Sequence, residues 1–205
     1  MTSIIKQDDY KRMPWKNGLG ETLEIYRVED AAGVRFRISQ AAVVEDGLFS
    51  DFSGLHRTLV LLSGNGMTLK HIPLESTLQE TFPTNKLDKT FENQLEKKLD
   101  IARFSGSDET YATLKNDAIE DLNIMVRKND TLAKVEACFA PKIINVPSDH
   151  TYLMNGFYAA ENCTIKIKDA EELQLHAHCF LLFEQEKQLN LHQGNGIFIQ
   201  IIKQK

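Results

Sequence analysis

The 205-residue chain lacks most of the features that announce a function at sight. It has no apolar run near the ~20 residues of a membrane-spanning helix, which excludes a helical membrane protein. It has no basic excess either. Lys and Arg number 24 against 29 Asp and Glu, a net charge of -5, whereas broad nucleic-acid binding needs a positive footprint. Cysteine is sparse: Cys138, Cys163 and Cys179 are an odd, widely spaced set without a Cys-x-x-Cys pair. That excludes a zinc knuckle and a thioredoxin-type centre, and leaves buried reduced thiols as the ordinary reading. Only Ile4 and Ile5 stand where a secretory signal wants about 7–15 apolar residues, so a cytoplasmic location is expected. No Walker spacing, no Rossmann glycine triplet and no Gly-x-Ser-x-Gly elbow occurs. The hydrophobic share of 42% nonetheless offers enough apolar surface to offset ordering entropy, as a globular chain requires.

What is present is strand pattern. Residues 34–44 place Val34, Phe36 and Ile38 on one face and Arg35, Arg37 and Ser39 on the other. Residues 56–63 contain Leu59 to Leu62, too continuously apolar for a strand wetted on one side. Gly64-Asn65-Gly66 follows and residues 67–71 return, and the Asn-Gly step predicts a tight hairpin. Residues 164–168, 187–192 and 197–203 complete the set of strands. Helix has one candidate, 87–99, where Leu87, Phe91, Leu95 and Leu99 repeat every four residues behind Asp88 as a cap. An inserted, solvated segment has the same pattern, and both readings stand. Many short strands with turns between them predict an all-β fold of sandwich or barrel type. The length accommodates two small barrels, 1–118 and 119–205, divided in the polar stretch 116–120, the second able to share strands with the first.

Several stretches carry residues suited to a pocket. Residues 13–25 hold the only tryptophan, Trp15, beside Asn17, Gly18 and Gly20. Glycines permit close backbone approach and Asn17 offers both donor and acceptor, although from the sequence alone a core tryptophan followed by a glycine turn is the more ordinary reading. Residues 46–57 form a turn-rich connection carrying Phe49 and Phe52 and ending at Arg57, which opens an apolar strand. A cation there must reach water, a carboxylate or a ligand. Arg37 and Ser39 share a strand face, and two guanidiniums with a hydroxyl converging inside a barrel would suit a small carboxylate. The competing reading leaves Arg35 and Arg37 on a solvated outer face. Alternation also sets Asp121, Asn123 and Met125 against Leu122, Ile124 and Val126. Asp and Asn are poor strand formers, so the pair either lines a polar pocket, braces an arginine, or sits at an exposed strand start.

Metal and catalytic chemistry have less support. His176 and His178 fall on one strand face, with Glu184 and His192 beyond, and form the weak alternative metal set. Adjacent acidic pairs such as Asp8/Asp9 and Glu171/Glu172 read as solvated turns, and the cysteines lack a basic setting that would activate them. No complete catalytic set emerges. The balance is against an enzyme, and no cofactor is expected.

Taken in order, these stretches resemble the HutD/Ves family of bacterial proteins. The resemblance runs through Trp15-Lys16-Asn17-Gly18-Leu19-Gly20 with Thr22 and Glu24-Ile25, then Phe36-Arg37-Ile38-Ser39 with Ala41. It continues through Asp46-Gly47-Leu48-Phe49-Ser50 with Phe52, Gly54 and Arg57, then Leu61-Leu62-Ser63-Gly64 with Gly66 and Leu69, and Asp121 to Met125. It covers residues ~13–127 and is faint beyond Arg127. Leu19 stands in the middle of the family's usual glycine triple, His56 where an acidic residue commonly precedes the arginine, and residues 85–100 look inserted.

The resemblance implies a cupin-type β-barrel fold with two barrels in one chain, lacking metal-binding histidines in the first; here no His-x-His precedes His176. It implies a regulatory or ligand-sensing role in histidine utilisation or stress response, with no assigned reaction. The expected site is Trp15, Asn17, Arg37, Ser39, Phe49, Arg57, Asp121 and Asn123 around a small carboxylate. Expected partners are that ligand and, for assembly, a candidate homodimer, with no nucleic acid and no membrane. A metal-dependent isomerase or dioxygenase using the second barrel is the alternative, and a structural or partner-binding subunit is the third.

Overall fold

The computed structural model describes residues 2–15, 20–74, 90–146, 152–167, 171–183 and 188–204, and these are built almost entirely of β-strands. A short 3-10 turn stands at Gln7–Asp9. The strands divide into two compact units, Arg12–Asn129 and a second formed by Met1–Lys11 with Asp130–Lys205.

In the first unit a six-stranded sheet runs in the order β2 (Lys11–Pro14), β3 (Glu21–Asp30), β4 (Gly33–Val43), β11 (Ile119–Arg127), β6 (Leu55–Ser63), β9 (Ile101–Ser105). A four-stranded sheet runs β5 (Gly47–Leu48), β10 (Glu109–Leu114), β7 (Met67–Ile72), β8 (Phe91–Leu95). Side chains of both sheets meet in one core: Leu59, Leu61, Ala102 and Ile119 from the larger, Met67, Leu69, Leu95 and Ala112 from the smaller. Strand alternation sends Val60, Leu62, Leu122, Ile124 and Val126 to the opposite face, where they are buried as well. The central strands β6 and β11 are therefore covered on both sides, as the continuous run at Leu59 to Leu62 requires.

The second unit repeats the plan. Its five-stranded sheet is β1 (Thr2–Ile5), β17 (Phe180–Phe183), β14 (Tyr152–Ala159), β19 (Asn195–Lys203), β12 (Thr131–Phe139). Its four-stranded sheet is β13 (Lys142–Asn145), β18 (Gln188–Gln193), β15 (Cys163–Ile167), β16 (Glu172–Leu175). Cys138, Cys163 and Cys179 are free and lie in its apolar core.

Several expectations are corrected. The sheets pack in pairs and do not close into barrels: each unit is a two-sheet sandwich of jelly-roll kind. The boundary lies at Asp130 instead of 118/119, because β11 is hydrogen-bonded between β4 and β6 in the middle of the first unit's sheet. The N-terminal strand belongs with the second unit through its pairing to β17. Gly64-Asn65-Gly66 turns the chain without making a hairpin, since β6 pairs with β11 and β9 while β7 pairs with β10 and β8. Both glycines have positive φ, and a Cβ on Gly66 would sit 2.4 Å from the Leu95 carbonyl oxygen, so the turn demands glycine while the sheets decide the partners. Finally, residues 91–95 form β8 on the edge of the smaller sheet, not a helix, because pairing with β7 outweighs the four-residue period. Leu87 and Asp88 lie outside the described residues.

Candidate functional site

Register builds the site. Arg37 on β4, Met125 on β11, Arg57 on β6 and Phe104 on β9 are successive Cα partners, so one row of side chains crosses four strands on the inward face. The next row is Ser39, Asn123 and Leu59, and the one after it Ala41, Asp121 and Leu61. Strands lie about 4.8 Å apart, so the two arginines start about 10 Å from one another and aim into the same space. That space is a cavity of about 700 Å³ contained in the first unit. Its walls include Trp15, Arg37, Ser39, Phe49, Phe52, Arg57, Asp121, Asn123 and Met125, with Glu45 and Asp46 also on its lining.

Arg57 is only 6% exposed. Its Nη2 donates to Asn123 Oδ1 at 2.8 Å, while its Nε is buried without an acceptor. The guanidinium carbon lies 4.9 Å from the ring centre of Phe49, 5.3 Å from Phe52 and 5.0 Å from Phe104, a cation held by aromatic faces. Among the described residues no carboxylate pairs with it directly. Burial draws its pKa down to about 10, Asp121 pulls the other way, and the like charge of Arg37 adds to the lowering. It stays charged at neutral pH.

Asn123 bridges the arginine to an acid. Its Nδ2 donates to Asp121 Oδ1 at 2.5 Å. Asp121 is 1% exposed, and burial lifts its carboxyl to about 7 against the downward pull of Arg57 and of the Asn123 hydrogen bond. Of the three readings of the Asp121/Asn123 pair, the exposed strand start is therefore overturned: β11 is a central strand and both residues are buried. Arg37 is held differently, by a 2.8 Å ion pair from its Nε to Glu24, with its Nη2 3.4 Å from Met13 Sδ. At 11% side-chain exposure it does not lie on a solvated face.

Trp15 donates from Nε1 to Thr22 Oγ1 at 2.9 Å, and its ring lies over Gly20, where a Cβ would come within 3.1 Å of it. It packs against the core and lines the cavity at once. Asn17 lies outside the described residues. The other seven expected site residues line this one cavity. Sequence reading missed Glu24 as the partner of Arg37, although Thr22 and Glu24 alternate onto one face of β3, and missed Phe104, which only strand register could bring to Arg57.

The alternative metal set does not assemble. His176 and His178 lie in a turn after β16 instead of on a strand face. His176 is exposed, His178 accepts or donates at Nδ1 to the Tyr158 hydroxyl at 2.8 Å, and His192 pairs with Glu172 at 2.8 Å. Glu184 is outside the described residues, and no group of three metal-ligating side chains occurs among those described. No helix among the described residues is long and apolar enough to cross a membrane.

Two sandwiches in one chain, the first with a polar cavity under its central strands, define a protein of the cupin-type all-β class. An oxalate decarboxylase from Lactobacillus farciminis, solved as a formate complex, shares that fold over 98% of this chain and 85% of its own at 7% identity, with a TM-score of 0.60. The HutD family model matches residues 7–199, and the chain belongs to the HutD family, associated with histidine utilisation or stress. An uncharacterized 21.2 kDa protein in the hutC 3' region of Pseudomonas putida is 35% identical over 60% of this chain and 56% of that protein. Protein Ves of Escherichia fergusonii is 35% identical over 62% of this chain and 60% of that protein. The matches thus span less than two thirds of either relative. HutD from Pseudomonas fluorescens, in a structure described by its formate condition, superposes over the whole of both chains with a TM-score of 0.77 and 22% identity.

Proposed function

We propose that the chain binds a small carboxylate in the cavity of its first sandwich and acts as a cytoplasmic sensing or regulatory protein rather than an enzyme. One observation carries the reading: a buried guanidinium with an unsatisfied Nε–H faces an open cavity and has only an amide as hydrogen-bond partner. A buried cation without an anionic partner is strongly disfavoured, and a carboxylate accepting two parallel N–H bonds satisfies it best. Ser39 and Asn123 orient the acid, Arg37 adds positive potential, and Trp15, Phe49 and Phe52 wall the remainder of the ligand. The formate named with two structural neighbours supports the same chemistry. Membership of a family associated with histidine utilisation or stress points to acids from histidine breakdown as the first candidates.

A thermal-shift screen against urocanate, formylglutamate, glutamate and formate tests this. At least one acid is expected to raise the melting temperature, and Arg57→Ala is expected to abolish the rise while the far-UV circular dichroism spectrum stays native. A rise that survives in the variant would remove Arg57 from the site.

A further inference from the structure

Asp121 is the group that the carboxylate reading leaves unused. It is buried, it lines the same cavity as Arg57, and Asn123 is its hydrogen-bond partner. The amide stands between the carboxyl and the guanidinium, so the two charges share a bridge without forming an ion pair. An acid anion entering at Arg57 would bring a second negative charge beside a carboxyl with no other counterion, in a low-dielectric space.

Resting on the carboxylate reading, we propose that anion binding at Arg57 is coupled to uptake of one proton by Asp121, which makes Asp121 a positioning residue that tunes affinity to pH. In the free protein the positive charge of Arg57 stabilises ionised Asp121. When a ligand carboxylate pairs with the guanidinium, that stabilisation is lost and Asp121 takes a proton from solvent. Anion and proton enter together, so the net charge of the cavity is unchanged.

The groups facing Asp121 support the direction. Arg57 on β6 lowers its proton affinity and Glu120 beside it on β11 raises it. Arg37 on β4 is already paired with Glu24 on β3, and Glu45 and Asp46 on the lining add only negative charge. His71 on β7, behind Phe104, is held neutral by burial with its pKa near 4, so it does not exchange protons near neutrality. With Asp121 half-titrated at about 7 in the free protein, coupling is strongest on the alkaline side.

Isothermal titration with sodium formate, in Tris and in HEPES at matched alkaline pH, reads the proton directly from the difference in buffer ionisation heat. The expected result is uptake approaching one proton per formate, with Kd weakening by up to about tenfold per pH unit above neutrality and levelling below it. Asp121→Asn is expected to bind formate without proton uptake and with a Kd flat across the same range. The neutral isostere formamide is expected to show no linked proton. Formate binding without uptake by the wild type, or undiminished uptake by the variant, overturns the coupling and leaves the carboxylate reading intact. Failure of the wild type to bind formate or any acid of the screen removes both. The two-buffer measurement needs no variant, so it decides even if the substitution unfolds the chain.

Discussion

On the inward side of the central strands, the first sandwich carries Arg37, Ser39, Arg57, Asp121 and Asn123, while the second carries Phe157, Ala159, Leu181, Phe183 and Phe198. The sheet plans are close, six strands over four in one and five over four in the other. In the second, aromatic and aliphatic side chains fill the interior, and its inward polar residues include the mutually bonded amides Asn155 and Gln200. Arg57 and Asp121 in the first are held apart by one amide, and three ring faces surround the guanidinium beside an open space. Similar architecture thus serves stability in one half and leaves a costly polar arrangement in the other, which is what a binding site requires.

The largest effect expected from breaking this contrast lies in the filled half. Phe157 is fully buried and faces Phe198 across β14 and β19. Phe157→Ala is expected to cost about 3–5 kcal/mol in urea denaturation, the range for emptying an aromatic core position. A loss under about 1 kcal/mol would show that the interior collapses freely around the vacancy, contrary to a close-packed core.

The second effect belongs to the polar half. His71 on β7 is stacked between Phe91 at 4.5 Å and Phe104 at 4.6 Å, and burial lowers its pKa from 6.5 to about 4. Between these values the unfolded chain holds a proton that the native chain does not, so this group makes stability rise with pH. Asp121 does the reverse: its carboxyl is raised from 3.8 to about 7, so over the same window the native chain holds the extra proton and stability falls with pH. The two slopes cancel between pH 4 and pH 6.5. Asp121→Asn is expected to unmask His71, adding a rise of about 1.4 kcal/mol per pH unit relative to wild type. His71→Gln is expected to add a fall of the same size. Parallel pH profiles for wild type and both variants would mean that neither group titrates as its burial demands.

The polar half was also the more legible in sequence. Asp and Asn at alternate positions of an apolar strand break its pattern, and Arg57 opening a run of Leu and Val does the same, so both marked themselves as needing partners. Which partners they take was hidden. The Arg37, Met125, Arg57, Phe104 row depends on register between strands up to about 90 residues apart, information that no local window contains. The same limit explains the misread turn at Gly64-Asn65-Gly66, where residue type fixes the backbone angles but the choice of sheet is made by distant strands. At His176-Ala177-His178 the error was local: β16 ends at Leu175 and His178 adopts a positive φ of 64° in the turn that follows, so the two imidazoles share no strand face.

The smallest effect sharpens the comparison most, because it asks whether polar burial in the second sandwich has any role beyond itself. Gln200 Nε2 donates to Asn155 Oδ1 at 3.0 Å, and Gln200 Oε1 is buried without a partner. Asn155→Leu alone strands the Gln200 amide and is expected to cost about 1–3 kcal/mol. The double variant Asn155→Leu/Gln200→Leu removes both partners and the orphaned oxygen together. It is expected to be within about 1 kcal/mol of wild type, or above it, in the same urea titration. A double variant as unstable as the single one would mean that the amides hold more than each other, and the second sandwich would then contain a polar requirement of its own.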